Sequence, residues 1–213
     1  MMFYSEEEIR ELLARDEGQF LERKSLWDQR PGGPHPLDRR KVRDLVAESV
    51  AAFVNAEGGD LILGAEDDGT PTGHRYPEDV VQEFFRVPER RLRPPVSVRT
   101  QRIRIQGHEI LIIHVDPSEQ AVLVEGDGFP YRAGDRVIYE REEAINARKE
   151  AYRRVGYEQM IRREASLTDL DLELARSVLK KMVRGGRSIE EALEAYGLIH
   201  RGLGGFYITN AAL

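Results

Sequence analysis

The chain has 213 residues, of which 40% are hydrophobic and 33% charged, and its formal net charge is −6. That balance supports a buried core and counts against a large nonspecific DNA clamp, which needs a basic domain. Cysteine is absent, which removes disulfides, thiol nucleophiles and cysteine-ligated zinc together.

The elements follow in chain order. Residues 5–15 predict a helix with Ser5 as N-cap, Glu6, Glu7 and Glu8 at the positive end of its dipole, and Ile9, Leu12 and Leu13 on its apolar face. "EGQFLERKSLW" reads as extended, with Phe20 and Leu26 toward the core and Glu22 and Lys24 opposite. "DQRPGGPHPLD" reads as a loop. Asp38 then caps an amphipathic helix over 39–54, carried by Val42, Leu45, Val46, Val50, Phe53 and Val54.

"LILGA" predicts a buried strand and "EDDGT" a tight turn. Residues 77–91 open Pro-Glu-Asp, as a helix does. "VSVRTQRIRIQ" and "EILIIHVDP" predict a hairpin, and "AVLVEGDGFPYRAG" a shorter strand pair. From Glu142 to residue 165 the pattern is helical. "SLTDLDLELARSVLKKMVR" predicts a further helix capped by Ser166 or Thr168, and Ser188 with Glu191 forms a capping box for another. "GGFYITNAAL" suits a short strand or wing. The order of elements suits α+β or mixed α/β, and the fold class expected is α+β, with a boundary near residue 140 separating a main domain (1–140) from a C-terminal extension (141–213).

Several segments could carry chemistry. Glu17, Glu22 and Glu57 with Asp60 could hold a hard divalent cation if they converge, and Lys24 could neutralise phosphate. Taken by spacing alone this signal is weak, since glutamates mostly belong to solvated surfaces. Gly58 and Gly59 suit a helix end turning into a strand, and also the close approach of a ligand to bare backbone. A basic run holds Arg91, Arg93, Arg99, Arg102 and Arg104, the last two alternating with Ile103 and Ile105. Arg39 and Arg40 open a second positive cluster, and Arg132 is a third candidate for phosphate contact. Read as the second helix of a helix-turn-helix over 168–200, "IEEALEAY" is acidic and suits DNA poorly. No GxxxxGK[ST] occurs, so no ATP site is expected; the histidines show no HxxxH or HExxH spacing. No apolar run reaches the ~20 residues a membrane helix needs, and the N-terminus lacks a signal-peptide pattern. A cytoplasmic location without a membrane partner is expected.

"EGQFLERKS", "VAAFVNAEGGDLILGAEDDGTPTG" and "FPYRAGDR" occur in one order that resembles the Schlafen-type AlbA-like domain, described as DNA-binding in bacterial transcriptional regulators. The resemblance covers residues 10–140 well and 166–213 more loosely. It implies an AlbA-like mixed sheet with packed helices, followed by a small helical or winged appendage. It implies a nucleic-acid partner, DNA or RNA, for which the charge pattern offers Arg39, Arg40, Arg91, Arg93, Arg99, Arg102, Arg104 and Arg132 as the candidate contacts. Eukaryotic relatives include RNA-cleaving enzymes with three acidic residues. Those match Glu17, Glu22 and Glu57, with Lys24 alongside, which would bind magnesium or manganese. Such enzymes pair two modules, so here the second would come from a homodimer. This sequence has "LERK" where "LEFK" is usual. The readings are therefore a nucleic-acid-binding module, alternatively a metal-dependent ribonuclease, or a non-catalytic oligomerisation module.

Overall fold

A computed structural model describes residues 3–30, 33–153, 156, 160–162, 165, 167–182, 188–202 and 205–212. The chain divides into two compact units, residues 1–147 and 148–213. Among the described residues no helix is long and apolar enough to cross a membrane.

The first unit begins with α1 (Glu6–Ala14), β1 (Leu21–Lys24), β2 (Trp27–Arg30), β3 (Gly33–Pro36), α2 (Arg39–Asn55) and β4 (Gly59–Leu63). It continues with α3 (Glu78–Phe85), α4 (Val87–Arg91), β5 (Leu92–Arg93), β6 (Arg99–Ile105), β7 (His108–Val115), β8 (Leu123–Val124), β9 (Phe129–Ala133) and β10 (Arg136–Glu140). Helix α5 (Glu142–Arg153) follows. The main sheet is mixed and runs β1-β4-β7-β6, with β1 parallel to β4 and the other pairs antiparallel. The unit is thus α+β, as the sequence indicates.

The sheet is covered on both faces. Leu61, Leu63, Leu111 and Ile113 pack with α2, α3 and α4. Ile62, Ile110 and Ile112 pack with Ile9 and Leu13 of α1. Burial on both faces explains why "LILG" reads as a continuous apolar run rather than an alternating one. Both helix starts follow the sequence signals. The Ser5 amide donates to Glu8 at 2.7 Å and the Glu8 amide donates to Ser5 Oγ at 3.3 Å. Asp38 accepts from the Arg40 amide at 2.8 Å. Helix α2 nevertheless opens on Arg39, Arg40 and Lys41 with no acid in its first turn, against the dipole preference for negative charge there.

Four expectations need correction. "DQRPGGPHP" is largely paired: β2 and β3 form an antiparallel ribbon with Trp27 opposite Pro36. The Leu37 amide donates to Leu26 O at 2.9 Å, so antiparallel alternation puts Pro34 and Pro36 at the non-hydrogen-bonded positions, where no amide is needed. The face assignment of β1 also changes. The strand ends at Lys24, Leu21 packs under α1, and Glu22 turns to the α2 face; Leu26 is buried beyond the strand end, where the alternation no longer runs. In the short-strand region the expected pair is reduced to a single antiparallel bridge across the "EGDG" turn, Val124 to Gly128, while β8 pairs with β5 and β9 with β10. Lastly, the helix expected through residue 165 is α5, described to Arg153. Ile161 bridges Thr209 in extended form, and residues 154–155, 157–159 and 163–164 lie outside the described residues.

Arg23, at the "LERK" departure, has a structural role. Its guanidinium donates to Leu13 O (2.8 Å) and Arg15 O (2.6 Å) at the end of α1, and to Asp67 O (2.8 Å) in the "DDG" turn. It thereby satisfies carbonyls that a helix end leaves open. The turn comes so close to α1 that a Cβ on Gly69, whose φ is +84°, would lie 1.9 Å from Leu13 O.

His74 sits in the same unit with a 4% exposed side chain, 3.1 Å from Glu109 and accepting from the Tyr76 amide at 3.1 Å. Burial holds its pKa below the ordinary histidine value, outweighing the charge of Glu109. The unfolded chain therefore takes up this proton more readily than the folded one. Stability from His74 is complete above about pH 6.5 and is lost as pH falls from there through its lower folded value. The difference in melting temperature between pH 7.5 and pH 5.5 is expected to be smaller in His74→Gln than in wild type. Equal differences would remove His74 from the account.

The second unit holds α6 (Leu172–Met182), α7 (Ile189–Ala195) and a hairpin of β11 (Ile199–Gly202) and β12 (Gly205–Ile208). Its core gathers Ala192, Leu193, Ile199 and Ile208. The Ser188–Glu191 capping box is present, with the two amide bonds at 2.9 and 3.1 Å. Asp171 caps α6 by accepting from the Leu174 amide at 2.9 Å. That displaces Thr168, which lies in a 3-10 turn, as the expected cap; Ser166 lies outside the described residues.

Candidate functional site

The three sequence segments that carry the resemblance meet at one place on the α2 face of the sheet. The residues before β1, the α2–β4 turn and strand β9 join there in a single polar network.

Arg132 is its centre and is 1% exposed. One guanidinium nitrogen binds the Glu22 carboxylate; the others donate to Gly18 O at 2.9 Å and Leu21 O at 3.0 Å. The same group lies over the Phe53 ring, 5.2 Å from its centre. Glu22 is 5% exposed and also holds Lys24, whose side chain is one-third exposed. Gln19 accepts from the Gly134 amide at 2.8 Å and donates to Arg132 O (3.1 Å) and to Glu57 (2.5 Å). The Tyr131 hydroxyl donates to Glu57 at 3.5 Å. Asn55 donates to Val122 O and Pro130 O and accepts from the Val122 amide, each at 2.7 Å. Gly59 is needed because a Cβ there would lie 2.6 Å from the Phe53 ring and 2.7 Å from Phe20 O.

The proposed metal ligands are distributed among separate partners. Glu17 accepts from the Arg23 amide at 2.5 Å. Glu22 is neutralised by Arg132 and Lys24, and Glu57 is bonded to Gln19. Asp60 lies on the opposite face of the sheet: it stands beside Leu21, while Glu22 stands beside Leu61. There Asp60 accepts from the Tyr4 hydroxyl at 2.9 Å and pairs with His114 at 2.7 Å. Among the described residues no three His, Asp or Glu side chains are grouped to hold a metal ion. A carboxylate already holding two cations makes a poor ligand for a third. The donor set does not fit a divalent ion in this arrangement, and no catalytic step follows from it.

The arginines divide into three kinds. Arg132 is interior and faces no solvent, so its expected phosphate contact is corrected to an internal ion pair. Arg91 is bound to Asp44, Arg93 to Glu125 at 3.1 Å, and Arg99 lies 3.7 Å from Asp116. Arg102 holds both Glu78 and Glu109, and these hydrogen bonds keep its pKa above the ordinary arginine value. Arg39, Arg40 and Arg104 are exposed and have no acidic partner among the described residues, as is also true of Lys41. Arg102 and Arg104 do share the strand face opposite Ile103 and Ile105, as alternation indicates. Sequence reasoning missed Gln19, Arg23, Tyr4 and His114. The adjacency of Gln19 to Glu17 and Phe20 was the available signal for the first; nothing local marks the others.

The fold and the network define a mixed α+β domain whose motif residues tie β1, the α2–β4 turn and β9 together. The family model described as "Schlafen, AlbA_2" matches residues 17–156, and the chain belongs to that family. Among solved structures, the DIP2311 protein from Corynebacterium diphtheriae is similar over 97% of this chain at 23% identity and a TM-score of 0.54. This chain spans 38% of that longer protein. The N-terminal domain of a RecG-related protein from Nitrosomonas europaea is similar over 66% of this chain and 89% of its own, at 21% identity and a TM-score of 0.46. The first of these likenesses concerns the fold alone. No curated protein matches the chain significantly.

Proposed function

We propose that the chain is a nucleic-acid-binding module, acting in the cytoplasm as part of a transcriptional regulator. Membership of the Schlafen AlbA_2 family supports the reading. The observation that carries it is the first turn of α2. Arg39, Arg40 and Lys41 stand exposed there, against the helix dipole and without acidic partners among the described residues, in a protein of net charge −6. Cations kept where they cost helix stability suit a polyanion. Arg104 is a further exposed contact. The cations held by acids contribute less, because a phosphate must first displace a carboxylate.

Contacts of this kind fall on phosphates, so affinity depends on salt more than on sequence. Fluorescence anisotropy with a labelled DNA duplex and an RNA of equal length is expected to show binding at 50 mM salt that weakens steeply by 200 mM. Arg39→Ala with Arg40→Ala is expected to weaken it and to reduce the slope of log K against log salt by about 2. No binding to either polymer at low salt, or an unchanged slope in the double variant, would sink the reading. The ribonuclease alternative draws no support from the distribution of Glu17, Glu22 and Glu57.

A further inference from the structure

A second surface of the first unit has the opposite character. An open cavity of about 470 Å³ lies where β10 passes into α5, lined by Asp127, Gly128, Phe129, Tyr139, Glu140, Arg141 and Ala144. Tyr139 is a large aromatic side chain left 53% exposed. It is not loose. Its hydroxyl donates to Glu48 of α2 at 2.8 Å, and the ring edge lies over Gly128, where an added Cβ would touch Tyr139 Cδ1 at 3.7 Å. An aromatic ring tethered through its hydroxyl with half its surface in water is a preformed platform.

The charges around that platform are mainly negative. Asp127 lines the cavity and Glu48 stands at the tyrosine hydroxyl, beside the guanidinium of Arg141. Glu142 and Glu143 follow directly in the first turn of α5. Burial, then the bond to Glu48 and the charges of Glu48 and Asp127, push the Tyr139 hydroxyl up to about 12. This field repels a phosphate backbone, so the cavity is separate from the cationic start of α2.

We infer that this cavity is a docking site for an arginine side chain of a basic polypeptide segment, with the guanidinium stacked on Tyr139 and bonded to Asp127. An aromatic face attracts a cation, and a planar guanidinium can stack on the ring while its edge donates to carboxylates. A lysine ammonium lacks the planar edge that serves both contacts. The volume admits one such head group with its methylenes. The inference is independent of nucleic-acid binding.

The test is fluorescence polarisation with labelled tetra-arginine and tetra-lysine peptides. The intact chain is expected to bind tetra-arginine more tightly than tetra-lysine. Tyr139→Ala is expected to weaken tetra-arginine by about fivefold or more, whereas Tyr139→Phe, which keeps the ring, retains most of the affinity. Asp127→Asn is expected to weaken it, and Asp67→Asn, at an exposed acid in the "DDG" turn, is not. Tyr139 and Asp127 are exposed, so these variants are expected to fold, which melting curves check. Equal affinity for the two peptides, an unchanged affinity in Tyr139→Ala, or equal losses in the two aspartate variants would each overturn the proposal.

Discussion

Replacing Arg132 with alanine is expected to destabilise the first unit by about 3–5 kcal/mol, the usual cost of stripping one partner from a buried ion pair. At roughly 2–4 °C per kcal/mol for a domain of this size, the melting temperature falls by about 10 °C. The loss has three parts: Glu22 keeps only Lys24, Gly18 O and Leu21 O lose their donors, and the Phe53 ring loses its cover. Arg132→Lys is expected to recover little, because one ammonium cannot reach three acceptors held by separate guanidinium nitrogens. Glu22→Gln combined with Arg132→Ala is expected to cost less than the sum of the two, since they share one interaction. Thermal melting of the four proteins decides the matter. A normal melting temperature in Arg132→Ala, accompanied by lost nucleic-acid binding, would return Arg132 to the role of a surface contact.

Asn55→Ala is the second large effect. Three buried backbone groups lose their partner, namely Val122 O, Pro130 O and the Val122 amide. At about 1–3 kcal/mol for each buried group left unsatisfied, partly relieved by relaxation, a loss of about 3 kcal/mol or more is expected. Asn55→Asp tests the mechanism. It keeps the acceptor for the Val122 amide but removes both donors and adds a charge at a site 1% exposed. It is therefore expected to be no better than alanine. Hydrogen exchange at the Val122 amide gives the local reading, and protection equal to wild type in Asn55→Ala would defeat this account.

Much of the fold is legible locally. Ser5 and Glu8, Asp38, and Ser188 and Glu191 mark helix starts because each side chain bonds an amide two or three residues away. "LILG" marks a strand because it packs on both faces. The ribbon of β2 and β3 is hidden because "PGGP" carries the same composition whether or not the flanks pair. The sheet order is hidden too, since nothing near Leu21 announces that its neighbour is Asp60.

The site is legible as a set of segments but not as a set of roles. An arginine read from sequence belongs in solvent, and Arg132 becomes interior only through Glu22, 110 residues earlier. Arg102 is likewise a candidate phosphate ligand until Glu78, 24 residues before it, takes the charge. The glutamates suffer the same ambiguity. Their spacing permits a shared ion, but period two along the strands places Asp60 and Glu22 on opposite faces, and distant cations take the carboxylate of Glu22.

The distance from Glu22 to Arg132 also bears on how the protein is made. A ribosome adding about 5–20 residues per second needs roughly 5–20 s to travel between them. During that interval Glu22 has Lys24 but no buried counter-charge, and β1 has no reason to close its polar side against α2. The buried Glu22–Arg132 pair can therefore form only after the "FPYRAG" segment has emerged. In this sense Arg132 closes the first-made strand of the sheet late, after its neighbours β4, β7 and β6 have all been delivered.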